Sequence, residues 1–332
     1  MELYFSFIIP VYNRPEEVDE LLLSFSRLDY DKPYEIVLIE DGSTISSRTI
    51  VENYSALPIS YFEKANSGPG PSRNYGMARA KGNYFIVLDS DVILPENYLQ
   101  EVEKELISKY VDFFGGPDAA DESFSDLQKA IDFTMTSFLT TGGIRGGKKG
   151  VDKFQPRSFN MGISKSAFKA TQGFGKIHPG EDPDLTFRLW QQGFSSRLFP
   201  EAKVFHKRRI SWKKFYQQVR KFGLVRPILS SWHEGTAKLT YWFPTLFCLA
   251  FIGAIVFAAF SIYWPLLCFA VYFILLAGGA LVKTKKITIA LQVLVAVFVQ
   301  FFGYGIAFFQ STLAIRWLKK EPKEKFPHLF FD

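Results

Sequence analysis

Acidic residues gather at turns that follow short apolar runs, and their spacing suits work on a phosphorylated substrate. Asp89-Ser90-Asp91 comes directly after the run Tyr84–Leu88. Hard carboxylate oxygens of this kind suit Mg2+ or Mn2+, which take one or two carboxylates and leave other positions to substrate phosphates. By itself Asp-x-Asp is also an ordinary solvated turn. Asp41, in Glu40-Asp41-Gly42-Ser43, can accept a hydrogen bond from a nucleobase N–H; an Asx turn or a helix N-cap is the other use of such a residue. Residues 66–80 make a Gly- and Pro-rich loop entering a helix, whose backbone and Arg73 suit a diphosphate. Glu181-Asp182-Pro183-Asp184 offers Asp182 as a general base. Asp before Pro before an amphipathic run is equally what a helix start requires, and spacing alone favours the cap.

Those turns need a scaffold, and the first half of the chain reads as one. Apolar β-like runs at Phe5–Val11, 35–40, 59–62, Tyr84–Leu88 and 111–114 alternate with helical stretches at 15–27, 71–80 and 95–109. Such alternation predicts right-handed βαβ units and a largely parallel sheet, with ligands bound beyond the carboxyl ends of the strands. Residues 125–139 and 183–192 read as further helices and 157–163 as a strand. The glycine- and lysine-rich stretch 142–150 is a basic loop, suited to a lid over an anionic substrate or to a plain surface loop.

Composition separates this scaffold from the second half of the chain. The 332 residues are 48% hydrophobic with 35 Phe, yet 22% charged; these averages hide two unlike halves. Apolar segments at 239–260, 262–282 and 287–315 carry no Asp, Glu, Lys or Arg, and each is long enough for a hydrocarbon core about 30 Å thick. A transporter would place paired ionisable residues in its spans; these have none. The net charge of +6 is concentrated before the first span, at Lys207 to Arg226, where it suits anionic headgroups. No nucleic-acid motif accompanies it. Residues 211–227 are amphipathic, with Trp212, Phe215, Tyr216, Val219 and Phe222 on one face, as in a helix lying in the membrane interface or packed on protein. The 283–286 loop marks the cytoplasmic side. If the last segment crosses once, the basic tail 316–325 falls outside, against the positive-inside tendency; a re-entrant hairpin bending at Gly303 and Gly305 would avoid this. Cys248 and Cys268 suggest neither a disulfide nor a metal site, and no signal peptide is legible at the start, so the first half is expected in the cytoplasm. The boundaries expected are a catalytic domain at 1–210, an interfacial helix at 211–235, a transmembrane region at 236–318 and a basic tail at 319–332.

Taken in order, Phe5–Asn13, Ile39–Ser43, Arg73-Asn74-Tyr75-Gly76, Asp89-Ser90-Asp91, Asn160-Met161-Gly162 and Gly180-Glu181-Asp182 closely resemble glycosyltransferase family two, the inverting enzymes with the Rossmann-like α/β GT-A fold. The resemblance covers roughly residues 4–222. It implies that Pro10, Tyr12, Asn13 and Asp41 line the nucleotide, usually UDP. It further implies that Asp89 and Asp91 form the metal motif, with Asp91 the direct ligand of Mg2+ or Mn2+, and that Asp182 is the base. His206 lies where some relatives place an extra metal ligand, though a lone His after a strand is commonly structural. Gln217-Gln218-Val219-Arg220 resembles the Gln-x-x-Arg-Trp motif of membrane synthases, with Arg220 facing the diphosphate. Lys221 replaces the Trp, which speaks against processive polymer synthesis. The function implied is transfer from a nucleotide sugar to a lipid-linked saccharide in cell-envelope glycan synthesis, by a multi-pass plasma-membrane enzyme. A polyprenyl phosphate is the alternative acceptor, and an inactive nucleotide-binding scaffold the alternative of another class.

Overall fold

The computed structural model describes residues 2–119, 125–141, 154–206 and 211–331; the 142–150 loop, expected as a lid, lies outside them. The chain divides into two compact units, one of Met1–Asp121, Lys149–Lys207 and Phe330–Asp332, the other of Glu122–Lys148 and Arg208–Leu329.

Strands in the first unit are β1 (Phe5–Val11), β2 (Tyr34–Asp41), β3 (Ile59–Lys64), β4 (Tyr84–Leu88), β5 (Val92–Ile93), β6 (Phe113–Gly115), β7 (Asp118–Ala119), β8 (Asn160–Ser164), β9 (Ser196–Leu198) and β10 (Val204–His206). The helices are α1 (Pro15–Phe25), α2 (Arg48–Glu52), α3 (Pro69–Arg79), α4 (Tyr98–Ser108), then α5 (Asp126–Thr136) and α6 (Phe138–Thr141) in the second unit, then α7 (Lys165–Thr171) and α8 (Glu181–Gln191). The main sheet has the order β3-β2-β1-β4-β8-β6-β9. All neighbours are parallel except at β8, which runs antiparallel to β4 and β6. A small second sheet orders β5-β10-β7.

The central strands β1, β2, β4, β6 and β8 are buried because helices cover both faces. Side chains alternate along β1: Phe5, Phe7, Ile9 and Val11 pack with Leu22 of α1 and Tyr98 of α4. Ile8 packs on the other face with Met77 of α3 and Leu185 and Leu189 of α8. Burying an aliphatic side chain of this size contributes about 1.5–3 kcal/mol, so α8 is held to the sheet by its apolar stripe. The buried Glu35 carboxylate accepts from Ser6 Oγ at 2.7 Å and from the Lys81 and Gly82 amides at 2.5 and 3.2 Å, fixing the entry into β4.

The strand register positions the site. β2 accompanies β1 as far as Val11↔Glu40, but β4 pairs with β1 only as far as Ile8↔Val87. Beyond Ile8 the two strands part, opening a crevice at the carboxyl ends of the strands, at the point where the sheet order reverses. Pro10, which has no N–H for a ladder, sits in that unpaired stretch toward β4.

In the second unit, α9 (Trp212–Trp232), α10 (Phe243–Ala259), α11 (Trp264–Thr284) and α12 (Ile287–Thr312) precede a wide turn at Leu313–Trp317 and the short α13 (Pro322–Lys325). The stretches Leu239–Ala259, Trp264–Thr284 and Ile287–Trp317 are long and apolar enough to cross a membrane. The last is one unbroken helical stretch of 31 residues, about 46 Å at the rise of an α-helix, and not a re-entrant hairpin. Its glycines are notches for neighbours and not bends. A Cβ at Gly303 would come within 2.8 Å of Val219 on α9, and one at Gly305 within 2.7 Å of the Pro244 carbonyl on α10. Small residues let helices approach this closely in an apolar setting. Thr245 Oγ1 donates to the Gly305 carbonyl at 2.8 Å and Ser311 Oγ to that of Leu224 at 2.6 Å.

Two expectations change here. Phe215 and Val219, read as part of a lipid-facing stripe, are buried and Val219 packs on Gly303, so α12 covers that part of the face; α9 also continues through Pro227 to Trp232. The 125–139 region, expected inside a continuous 1–210 domain, groups with the apolar helices: Phe133 packs with Leu276 and Val293, and Asp126 accepts from Lys286 and Thr288 at 3.1 and 2.8 Å.

Candidate active site

The crevice floor begins at β1. Asn13, in the left-handed region at φ 55° that Asn tolerates better than most residues, donates its amide to Ser43 Oγ at 2.7 Å. Its Oδ1 accepts from the Thr44 and Ile45 amides at 2.8 and 2.9 Å. Asn13 thereby staples the loops after β1 and β2 together, and leaves Tyr12 beside it 52% exposed.

Asp41, at the end of β2, turns inward. Its carboxylate accepts from the Ser67 and Gly68 amides, both at 3.0 Å, and from Lys64 Nζ. Asn66 caps the same residue's carbonyl at 2.8 Å. Asp41 is 3% exposed, so it shapes the 64–68 loop, and only the lone pairs these donors leave are open to a nucleobase.

Arg73, on the first turns of α3, occupies the centre. It is 3% exposed, with Nη2 donating to Asp89 Oδ1 at 2.7 Å and Nη1 to Glu181 Oε1 at 3.3 Å. The neighbouring Asn74 exchanges hydrogen bonds of 2.8 Å with both the amide and the carbonyl of Phe174. The sequence suggested Arg73 as a diphosphate ligand; its burial between two carboxylates makes it a tie from the end of β4 to the start of α8.

Asp89, Ser90 and Asp91 stand beyond β4, all half-buried. Ser90 Oγ donates to Glu17 at 3.1 Å. Among the described residues no group of three or more His, Cys, Asp and Glu side chains converges as a metal cage. An Asp-x-Asp turn at a crevice fits the other kind of divalent-ion site, in which one or two carboxylates share the ion with substrate phosphates and water. His206 ends β10 opposite Val92; its side chain lies outside the described residues. Arg220 lies on α9 in the second unit.

Asp182 is not the helix cap that its spacing favours. Gly180, at φ 122°, is the residue preceding α8, and Asp182 lies inside the first turn. Its Oδ2 accepts from the Ser158 amide at 3.1 Å, while Oδ1 is shut off from solvent with no hydrogen-bond partner among the described residues. Burial, and next the Glu181 carboxylate, push the Asp182 carboxyl above its usual range, against the pull of Arg73. Burial acts on Glu181 in the same direction, but there the hydrogen bond and charge of His178, together with Arg73, outweigh it and hold that carboxyl low. His178 Nδ1 lies 2.9 Å from Glu181 Oε1. Asp184 is spent on structure, bound by Arg188 Nη2 at 2.8 Å.

Glu181, His178, Ser158 and Glu17 are the members of this constellation that sequence spacing did not single out as acting. Glu181 adjoins the expected base, so its acidity was the available signal; the others have none short of the fold. Asn160 of the Asn-Met-Gly motif is buried under Tyr98 OH at 2.6 Å and supports β8.

Residues 6–170 match the family model described as glycosyl transferase family 2. The poly(ribitol-phosphate) beta-N-acetylglucosaminyltransferase TarS of Staphylococcus aureus is 35% identical over 101 residues, covering 29% of this chain and 18% of that protein. Glycosyltransferase GlyA of Streptococcus pneumoniae is 33% identical over 111 residues, 33% of this chain and 16% of its own length. The chain thus aligns with under a fifth of these relatives. Among solved structures, the mannosyltransferase PcManGT of Pyrobaculum calidifontis, in complex with GDP-Man and Mn2+, superposes with a TM-score of 0.56 at 14% identity, covering 97% of this chain and 89% of that one. At that identity the likeness speaks for the fold alone.

Proposed function

Residues 6–170 form a glycosyl transferase family 2 domain built on the GT-A fold, and from that premise we propose that the protein is an inverting glycosyltransferase. Its donor is a nucleotide diphosphate sugar, a UDP-sugar on the family resemblance, and its acceptor a membrane-associated, lipid-linked saccharide. The observation that carries this reading is the Arg73 bridge, which ties the Asp-x-Asp turn to the acidic start of α8. A divalent-ion turn and a carboxylate of raised basicity then serve one crevice.

In the proposed reaction Asp182 accepts the proton of an acceptor hydroxyl. That oxygen bonds to the anomeric carbon from the face opposite the nucleotide, the bond from carbon to the phosphate oxygen breaks, and the nucleoside diphosphate leaves with the electron pair. One displacement inverts the anomeric centre. The Ser158 amide orients Asp182 through Oδ2, and Oδ1 keeps its lone pairs uncommitted. A bound Mg2+ or Mn2+, held by Asp91 with Asp89, would neutralise the leaving diphosphate. Tyr12 offers its ring to the base, and Asn13 and Asp41 hold the loops around it.

Among the described residues three helices are long and apolar enough to cross a membrane, which favours an acceptor carried by a lipid, with the catalytic unit on the cytoplasmic side where nucleotide sugars are made. Asp182→Asn tests the acceptor class. Transfer to a hydroxyl predicts a fall of about 10²–10⁴-fold; near-normal turnover would favour a polyprenyl phosphate, whose oxygen is already anionic. Product with retained anomeric configuration would sink the mechanism.

A further inference from the structure

After the apolar helices the chain returns to the first unit at Phe330. Phe330 forms an antiparallel bridge with Ile177, and the Phe331 amide donates to the Lys176 carbonyl at 3.0 Å. The Phe331 side chain then touches both segments that frame the site. On one side it lies against Gly68, so closely that a Cβ there would run into the ring. On the other, its centroid is 5.9 Å from that of His178.

Each contact reaches the chemistry in one further step. The Gly68 amide binds the Asp41 carboxylate, in the loop assigned to the nucleotide. His178 binds Glu181, the neighbour of Asp182 and a partner of Arg73. Gly68 is doubly constrained, by a φ of 87° and by the ring that fills its missing side chain. An aromatic ring supplies broad, rigid contact with few rotors to freeze, so one side chain can fix the spacing of two loops.

We propose that Phe331 is a positioning residue for the transfer reaction: seated between Gly68 and His178, it holds the nucleotide loop and the segment bearing the base in register, and so sets the affinity for the donor nucleotide. The proposal rests on the glycosyltransferase reading for the identity of that ligand, but its structural half stands without it. Lying far along the chain from both loops, Phe331 is tied to them by few bonds, which makes this contact a separable element.

The test uses the full chain in detergent, as wild type, Phe331→Ala and Phe331→Tyr. Calorimetry reads binding of UDP, with GDP in parallel, in Mn2+; hydrogen exchange reads residues 65–68 and 176–182. Loss of the ring should weaken nucleotide binding about tenfold and speed exchange in both segments. The donor KM should rise, with a smaller fall in kcat as the segment bearing Asp182 loosens. Tyr should restore all of these. Unchanged affinity in the Ala variant would overturn the proposal, and so would tighter binding, which would make the ring a plug. Should the wild type bind neither nucleotide, the glycosyltransferase reading falls on its own; unchanged exchange would then overturn the positioning role, and faster exchange in both segments would sustain it.

Discussion

Asp182 is the proposed base, and its environment does what its spacing could not reveal. Burial and the adjoining Glu181 carboxylate raise its affinity for a proton, so the acid limb of kcat/KM should lie well above the value of about 4 for an ordinary carboxyl. The proposed base acts unprotonated, so activity should fall as pH drops through the raised value. Its effect on stability has the opposite sign. A folded-state pKa above the unfolded one means that stability is lost as pH rises through it. Asp182→Asn should therefore unfold at a temperature no lower than wild type at pH 8, an advantage that fades in acid; thermal unfolding of both proteins across pH checks this. Arg73 makes the opposite case. Arg73→Ala leaves Asp89 and Glu181 without their buried partner, and removing one side of such a pair costs about 3–5 kcal/mol. A variant as stable as wild type would show that the bridge does not organise the site.

At the scale of elements, legibility followed burial. β1 and β4 were readable to the residue because each is an apolar run buried on both faces, Phe5–Val11 and Tyr84–Leu88. At the start of α8, Asp182 before Pro183 mimics a cap, but Gly180 leads into the helix and the Asp carboxylate bonds instead to Ser158, 24 positions back. Long-range partners such as this leave no trace in local spacing. The same limit hid Arg73's partners, Asp89 and Glu181, the latter 108 positions away. Gly303 and Gly305 looked like a bend because glycine breaks helices; their purpose is close approach of α9 and α10. Gly303→Val should then overpack against Val219 and destabilise the second unit by about 1–3 kcal/mol. Unchanged thermal unfolding in detergent would contradict that packing.

For the whole molecule, the split between a charged α/β half and an apolar half was plain from composition, whereas the way the chain weaves between the two units was not. Residues 122–148 count with the apolar helices and residues 330–332 with the sheet, a pattern no linear boundary at residue 210 can express. The three apolar stretches among the described residues predict that the protein stays with the membrane pellet through an alkaline carbonate wash and leaves only with detergent; release by the wash would remove the case for spanning helices. Whether this chain transfers sugars from nucleotide donors with a metal at Asp91 is decided by nucleoside diphosphate release. Purified wild type and Asp91→Ala would be given a panel of nucleotide sugars with Mn2+ or Mg2+ and then with chelator. Release from at least one donor, abolished by chelator and by Asp91→Ala, is expected. No release from any donor, or release indifferent to both, would contradict it.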